Sequence, residues 1–189
     1  MPLNLPHLIA RAEAMAWLVI GATTRARSVF DRMLERWPDD AYALASRAHL
    51  HAAAGDRSRA IADARRLVAA HPRRSAADWF NLGWLLEQDG QAPEAEAAFR
   101  EAVALDEKLD RAWYGLGLVL IRLGRPDEAA AALERNTKLQ PMSPYGWYQL
   151  ARLHAERQRA DEALKIIRHL KGFEPKVAAQ LERETGLAA

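Results

Sequence analysis

Residues 79–99 read WFNLGWLLEQDGQAPEAEAAF, and the reading of this stretch decides the fold. Trp79, Leu82, Gly83 and Leu86 recur at helical spacing, which gives the segment one apolar face. Gly90 then stops the helix, because glycine enters the left-handed conformation without a Cβ penalty. Pro93 opens a second helix at a position where its missing N–H is harmless, and Glu94 and Glu96 suit the positive end of that helix's dipole. Ala95, Phe99 and Ala102 form the inner stripe of the second helix, the alanines allowing close approach of two helix axes. The stretch is a helix, a turn and a helix.

Outward from it the chain repeats itself. Gly21, Gly55, Gly90 and Gly124 are separated by 34, 35 and 34 residues, and five residues after each stands Ala26, Ala60, Ala95 or Ala129, with Ala163 a further 34 on. Pro38, Pro72, Pro141 and Pro175 keep the same beat, broken only at Glu107, and Trp79, Trp113 and Trp147 are again 34 apart. Ser75 is the single extra residue that lengthens one interval. Several independent columns in one register define a repeat architecture. Pro126, Asp127 and Glu128 restate the second-helix start one period later, and strand-like alternation of useful length appears nowhere.

These residues resemble the tetratricopeptide repeat, whose pattern is Trp-x2-Leu-Gly-x2-Tyr, then Ala-x3-Phe, then Pro. Trp79, Leu82, Gly83, Ala95 and Phe99 match it closely, as do Trp113, Leu116, Gly117, Ala129 and Pro141. The period 144–177 keeps Trp147, Leu150, Ala163 and Pro175, with Ala151 for the small residue and His154 for the aromatic. Periods 41–74 (Leu44, Ala48, Gly55, Ala60, Pro72) and 7–40 (Ala14, Trp17, Gly21, Ala26, Phe30, Pro38) are weaker. With 76–109 and 110–143 this makes five repeats. The amphipathic segment 175–185, with Val177, Ala178 and Leu181 on one side, reads as a capping helix. The resemblance implies one all-α domain over residues 1–189, a right-handed superhelical solenoid closed by that cap. No equivalent polar helix is expected before the first repeat, since residues 1–6 are few and contain two prolines.

Composition narrows the function. The 189 residues carry 27 basic and 25 acidic side chains, a formal charge of +2, and half of them are apolar. A chain of that make-up builds a core and stays soluble. No cysteine is present, which removes disulfides, thiolate metal sites and cysteine nucleophiles. The apolar run from Ala14 to Ala22 is too short to span a bilayer and, with Arg11 and Glu13 before it, does not read as a signal peptide; the expectation is a cytoplasmic, unanchored protein. Arginine supplies 22 of the 27 basic residues and alanine is abundant, a bias typical of a GC-rich bacterial genome. The pI near 9.1 arises from arginine in a nearly neutral chain. Residues 1–75 hold a net +5, residues 76–143 a net −5 and residues 144–189 a net +2.

In the tetratricopeptide family a second stripe on each first helix faces a concave groove, beside the stripe that packs the core. Its projection gives Leu8, Arg11, Met15 and Leu18; then Tyr42, Ala45, His49 and Ala52; then Ala77, Phe80, Trp84 and Glu87. Arg111, Tyr114, Leu118 and Ile121 follow, and then Tyr145, Tyr148, Arg152 and Ala155. Each set runs 3, 4, 3 and so shares a helix face. Phe80, Trp84, Tyr114, Leu118 and Tyr148 are not demanded by the repeat's own packing, and aromatics mixed with arginine compose a binding hot spot, with Tyr145 on the same groove stripe. Packing against neighbouring first helices is the competing account of the same residues. Trp79, Trp113 and Trp147 are assigned to the core.

The resemblance implies an adaptor without catalysis, holding an extended or helical peptide. Phe80, Trp84, Tyr114 and Tyr148 supply apolar anchoring, Arg111, Arg122 and Arg152 pair with acidic groups, and Asn81 and Gln149 bond the peptide backbone. The carboxylate clamp of chaperone-binding relatives falls here on Ala45, His49, Asn81, Arg111 and Gly115; only Asn81 and Arg111 fit, so that ligand is not expected. A self-assembling scaffold is the second reading, motivated by Trp17, Leu18, Val19 and Ile20 crowding the uncapped first helix.

Catalysis, cofactors and nucleic acid find no support. His49 and His51 are two apart and point apart on a helix, so they cannot share a metal. His51 and His154 stand in the column filled elsewhere by Trp17, Leu86 and Leu120, which assigns them to packing. Gly115 and Gly117 lack the third glycine and the strand of a dinucleotide site. The pairs Asp127-Glu128 and Asp161-Glu162 mark helix starts rather than an acid/base dyad. The arginines at 57, 59, 65, 66, 73 and 74 read as a solvated face, since no aromatic platform accompanies them.

Overall fold

A computed structural model describes residues 5–188, so the expectation for residues 1–6 lies largely outside the described part of the chain. Among the described residues there are eleven α-helices and no strand. The chain divides into two compact units, Met1–Asp89 and Gly90–Ala189. The first holds α1 (Leu5–Val19), α2 (Thr23–Arg36), α3 (Ala41–Ala53), α4 (Arg57–Ala70) and α5 (Ala76–Gln88). The second holds α6 (Ala92–Leu105), α7 (Asp110–Arg122), α8 (Pro126–Leu139), α9 (Pro144–Glu156), α10 (Ala160–Lys171) and α11 (Pro175–Thr185). Within each unit, helices adjacent in sequence pack on one another, and α11 packs on both α9 and α10.

The glycine column works as a helix stop. Gly21, Gly55, Gly90 and Gly124 have φ between +70° and +79°, the left-handed region. In the turns around Gly55 and Gly124 the following N–H reaches back to close the last helical turn, Asp56 to His51 O and Arg125 to Leu120 O at 2.9 Å each. The fifth turn keeps the geometry without the glycine: Gln158 takes φ +58° and Arg159 bonds His154 O at 2.9 Å.

The alanine column is the packing core. Ala26, Ala60, Ala95, Ala129 and Ala163 are all 0% exposed, because a larger side chain would hold paired helices apart. Gly117 serves the same end, since a Cβ there would fall 2.7 Å from Leu133 Cγ. The glycines at 115 and 117 are therefore points of close helix approach. Ser75, the extra residue, caps α5 by accepting from Ala77 N at 3.1 Å. Asp40 and Asp56 cap α3 and α4 in the same way.

The tryptophan column corrects the sequence reading. Trp79, Trp113 and Trp147 are partly buried, and none of them belongs to the fully buried core. Each indole donates Nε1–H to a turn carbonyl, Trp79 to Pro72 O (2.8 Å), Trp113 to Glu107 O (2.9 Å) and Trp147 to Pro141 O (2.9 Å). The acceptor is a main-chain oxygen, so Glu107 fills the proline column without loss of the bond. The buried bulk comes instead from Phe30, Met33 and Leu44 in the first unit and from Phe99, Leu120, Leu133, Ile167 and Leu170 in the second.

Candidate protein-interaction site

In the first unit a solvent-open cleft of about 120 Å³ lies between α3 and α5, with α4 beneath. Its origin is legible in one column. The position that holds Phe80, Tyr114 and Tyr148 in later periods holds Ala45 in the second, and the missing ring leaves a hollow. Ala45 and Ala52 form one wall, Ala64 and Leu67 of α4 the floor, and Asn81 and Trp84 the opposite wall. Trp84 is 49% exposed, an unusual state for the largest apolar side chain. The one carboxylate in the lining, Asp78, is 7% exposed and held by both Nε (2.8 Å) and Nη2 (2.6 Å) of Arg74. That pair neutralises it, so the cleft presents apolar surface with His49 and Asn81 as polar points. Phe80 is half-buried beside it.

The second unit carries the remaining residues of the stripe. Tyr114 and Leu118 on α7 are half-buried, while Arg111 and Arg122 are exposed at its two ends. On α9, Tyr145 is 69% exposed, Gln149 is half-buried and Arg152 stacks toward Tyr148, its Cζ 5.8 Å from the ring centroid. Tyr145 and Tyr148 line a second cleft with Val177 and Gln180 of α11. Sequence reasoning missed this contribution of the capping helix, as it missed the α4 floor of the first cleft. The polar face of segment 175–185 was the only available signal for the former.

The histidines are sites of burial rather than chemistry. His51 and His154 are 5% and 8% exposed, and Nδ1 of each has no hydrogen-bond partner. Burial pushes both imidazoles below the ordinary histidine range. Near His51, Arg47 ties three helices together through Asp63 on α4 (2.6 and 2.8 Å) and Asp31 on α2 (2.8 Å). The Asp63 hydrogen bonds hold the Arg47 guanidinium above its ordinary value. His49 is exposed and lies on the cleft wall. Among the described residues no three His, Asp or Glu side chains converge in a metal-holding group, and no helix is long and apolar enough to cross a membrane.

These features define a helical-repeat protein, and the comparisons name the repeat. The family model described as tetratricopeptide repeat matches residues 45–110, 81–140 and 114–172. The chain belongs to the tetratricopeptide repeat family. Among solved structures it is similar to the MamA protein (TM-score 0.83, 21% identity, 97% of each chain covered). It is similar also to YrrB, described as a TPR protein with an unusual peptide-binding site (0.81, 20% identity, 90% of this chain and 88% of that one). A third likeness is to PilF of Pseudomonas aeruginosa (0.69, 22% identity, 94% and 89%). At these identities the likeness shows the fold, an all-α repeat solenoid. No curated protein matches the chain in sequence.

Proposed function

We propose that the chain is a non-enzymatic adaptor whose α3/α5 cleft takes a large apolar side chain from a segment of a partner protein. The observation that carries this reading is Trp84, half exposed over a hollow walled by alanines. A ring or long aliphatic chain entering there buries itself against Ala45, Ala52 and the Trp84 indole without desolvating an unpaired charge. Asn81 supplies an amide for the incoming backbone. In the second unit Phe-sized anchoring falls to Tyr114, Leu118, Tyr145 and Tyr148, with Gln149 as a further amide. Arg111, Arg122 and Arg152 favour acidic groups in the bound segment. The peptide-binding description of YrrB supports the same reading for this chain.

The test is a fluorescence-anisotropy titration with labelled peptides carrying one tryptophan or leucine flanked by glutamates, beside the same peptides flanked by lysines. The glutamate series binds better, Trp84→Ala weakens binding at the cleft of the first unit by about tenfold or more, and Arg111→Glu reduces the preference for acidic flanks at the second unit. Equal affinity of wild type and Trp84→Ala removes the cleft from the function, and a preference for basic flanks that survives Arg111→Glu removes the proposed polarity.

A further inference from the structure

The outer face of α1 is the most apolar exposed surface in the first unit. Leu5, Leu8, Ile9, Met15, Val19 and Ile20 are between 43% and 84% exposed. At 100° per residue they fall with Ala12 and Ala16 in one arc of about 140°, and no polar residue interrupts it. The inner face, by contrast, is spent: Ala14 is fully buried, and Ala10, Trp17 and Leu18 pack on the core of α2 and α3.

The two charges of α1 stand at the edges of the arc, and both are engaged within the chain. Arg11 lies over the Tyr42 ring, its Cζ 4.4 Å from the centroid. Glu13 accepts from Arg32 Nη2 at 2.8 Å. A membrane-seated helix needs basic side chains free to meet lipid headgroups, and α1 offers none.

We propose that two copies of this chain pair through this arc, α1 against α1, antiparallel about a two-fold axis at Ala12. The stripe is self-complementary in that arrangement. Positions that sum to 24 meet, so Leu5 faces Val19, Leu8 faces Ala16, Ile9 faces Met15 and Ala12 faces itself. Large residues sit at the ends and the small residue at the crossing, where two helix axes come closest. Antiparallel packing also opposes the helix dipoles. The six large side chains expose on the order of 600 Å² per copy, so a pair that covered them fully would bury about 1,200 Å², the lower bound of a stable interface.

The absence of cysteine makes the test clean. Sedimentation of the full chain from low to high micromolar concentration shows a reversible shift from 21.1 kDa towards twice that mass. The double variant Ile9→Glu/Val19→Glu, with its helix content unchanged by circular dichroism, stays monomeric. Under mild oxidation Ala12→Cys cross-links to itself, whereas Ala131→Cys, exposed on α8, does not. Leu5→Cys cross-links to Val19→Cys in a mixture and not to itself. A chain that is monomeric throughout, or one whose association survives the double glutamate variant, overturns the proposal. So does Ala12→Cys reacting no faster than Ala131→Cys, or co-sedimentation of the wild type with phosphatidylserine vesicles through this helix.

Discussion

Tyr148 on α9 donates its hydroxyl hydrogen to the Glu184 carboxylate on α11 across 2.6 Å, and Gln180 on α11 bonds both partners. The capping helix therefore occupies the polar tip of a side chain that belongs to the proposed binding column. Its acidic group stands near Arg152, so an acidic ligand there would compete with Glu184 for the guanidinium.

This bond has a titration signature. The Glu184 hydrogen bond holds the Tyr148 hydroxyl above the ordinary tyrosine range, and the same bond holds Glu184 below the ordinary carboxylate range. Glu184→Ala lowers the Tyr148 transition towards its ordinary value near 10. Ultraviolet tyrosinate titration, read as a difference from Tyr148→Phe, measures it. An unchanged transition means the bond is not formed in solution.

Gln158 is the one non-glycine residue in the turn column with positive φ, at +58°. An L side chain is strained there while glycine is not. Gln158→Gly stabilises the chain by about 0.5–1 kcal/mol, and Gly124→Gln destabilises it by a similar amount or more. Urea denaturation of both variants checks the sign, and a destabilised Gln158→Gly would show that the side chain makes up for its strain.

His51 and His154 make stability depend on pH. Their folded values lie below the unfolded value, so the unfolded chain binds these protons first as pH falls. Stability is full above the unfolded value near 6.5 and declines as pH drops from there through the folded values. Asp56 and Asp63 oppose the depression at His51, while Arg27 and Arg47 add to it; at His154, Glu162 and Glu134 oppose it and Arg159 and Arg157 add to it. His51→Leu with His154→Leu, matching Leu86 and Leu120 in the same column, flattens the slope between pH 7 and 5 in denaturation measured at each pH. A slope equal to wild type would assign the dependence to carboxylates.

Core and cleft separate under alanine substitution. Phe99 is 1% exposed, and Phe99→Ala costs about 3–5 kcal/mol. Trp84→Ala changes stability by no more than about 1 kcal/mol. Trp113→Ala falls between, since it removes a half-buried ring and the indole bond to Glu107 O. Thermal melts of the three variants rank them, and a Trp84→Ala as unstable as Phe99→Ala would move Trp84 into the core.

The fold was written in single-residue columns because each column answers one local demand. Only glycine meets the left-handed turn at no cost, and only alanine lets helices touch at the positions of Ala60 and Ala129. Helical spacing also brought Ala45, His49 and Ala52 together on one wall, since it depends on α3 alone. The floor of that cleft was not legible, because Ala64 and Leu67 reach it through the packing of α4 under α3 and α5. The indoles of Trp79, Trp113 and Trp147 misled for a different reason. Apolar periodicity registers the ring and is blind to the N–H, which needs a carbonyl and draws the side chain to the junction edge. Gln158 could be placed in its column by counting, but nothing in its chemistry announces a left-handed turn.

The indole-to-carbonyl bond also gives the chain an optical address system. Three chromophores sit one period apart, each tethered to the turn before its own helix, with the His169 ring 4.6 Å from that of Trp147. With Trp17, Trp37 and Trp84 replaced by phenylalanine, emission would arise from these three tethers alone, and removing two at a time would leave a lamp at one chosen junction. Red-shift of that lamp during denaturation marks the moment its junction opens to water. Coincident shifts at positions 79, 113 and 147 would mean one cooperative transition, and staggered shifts would give the order in which the junctions let go.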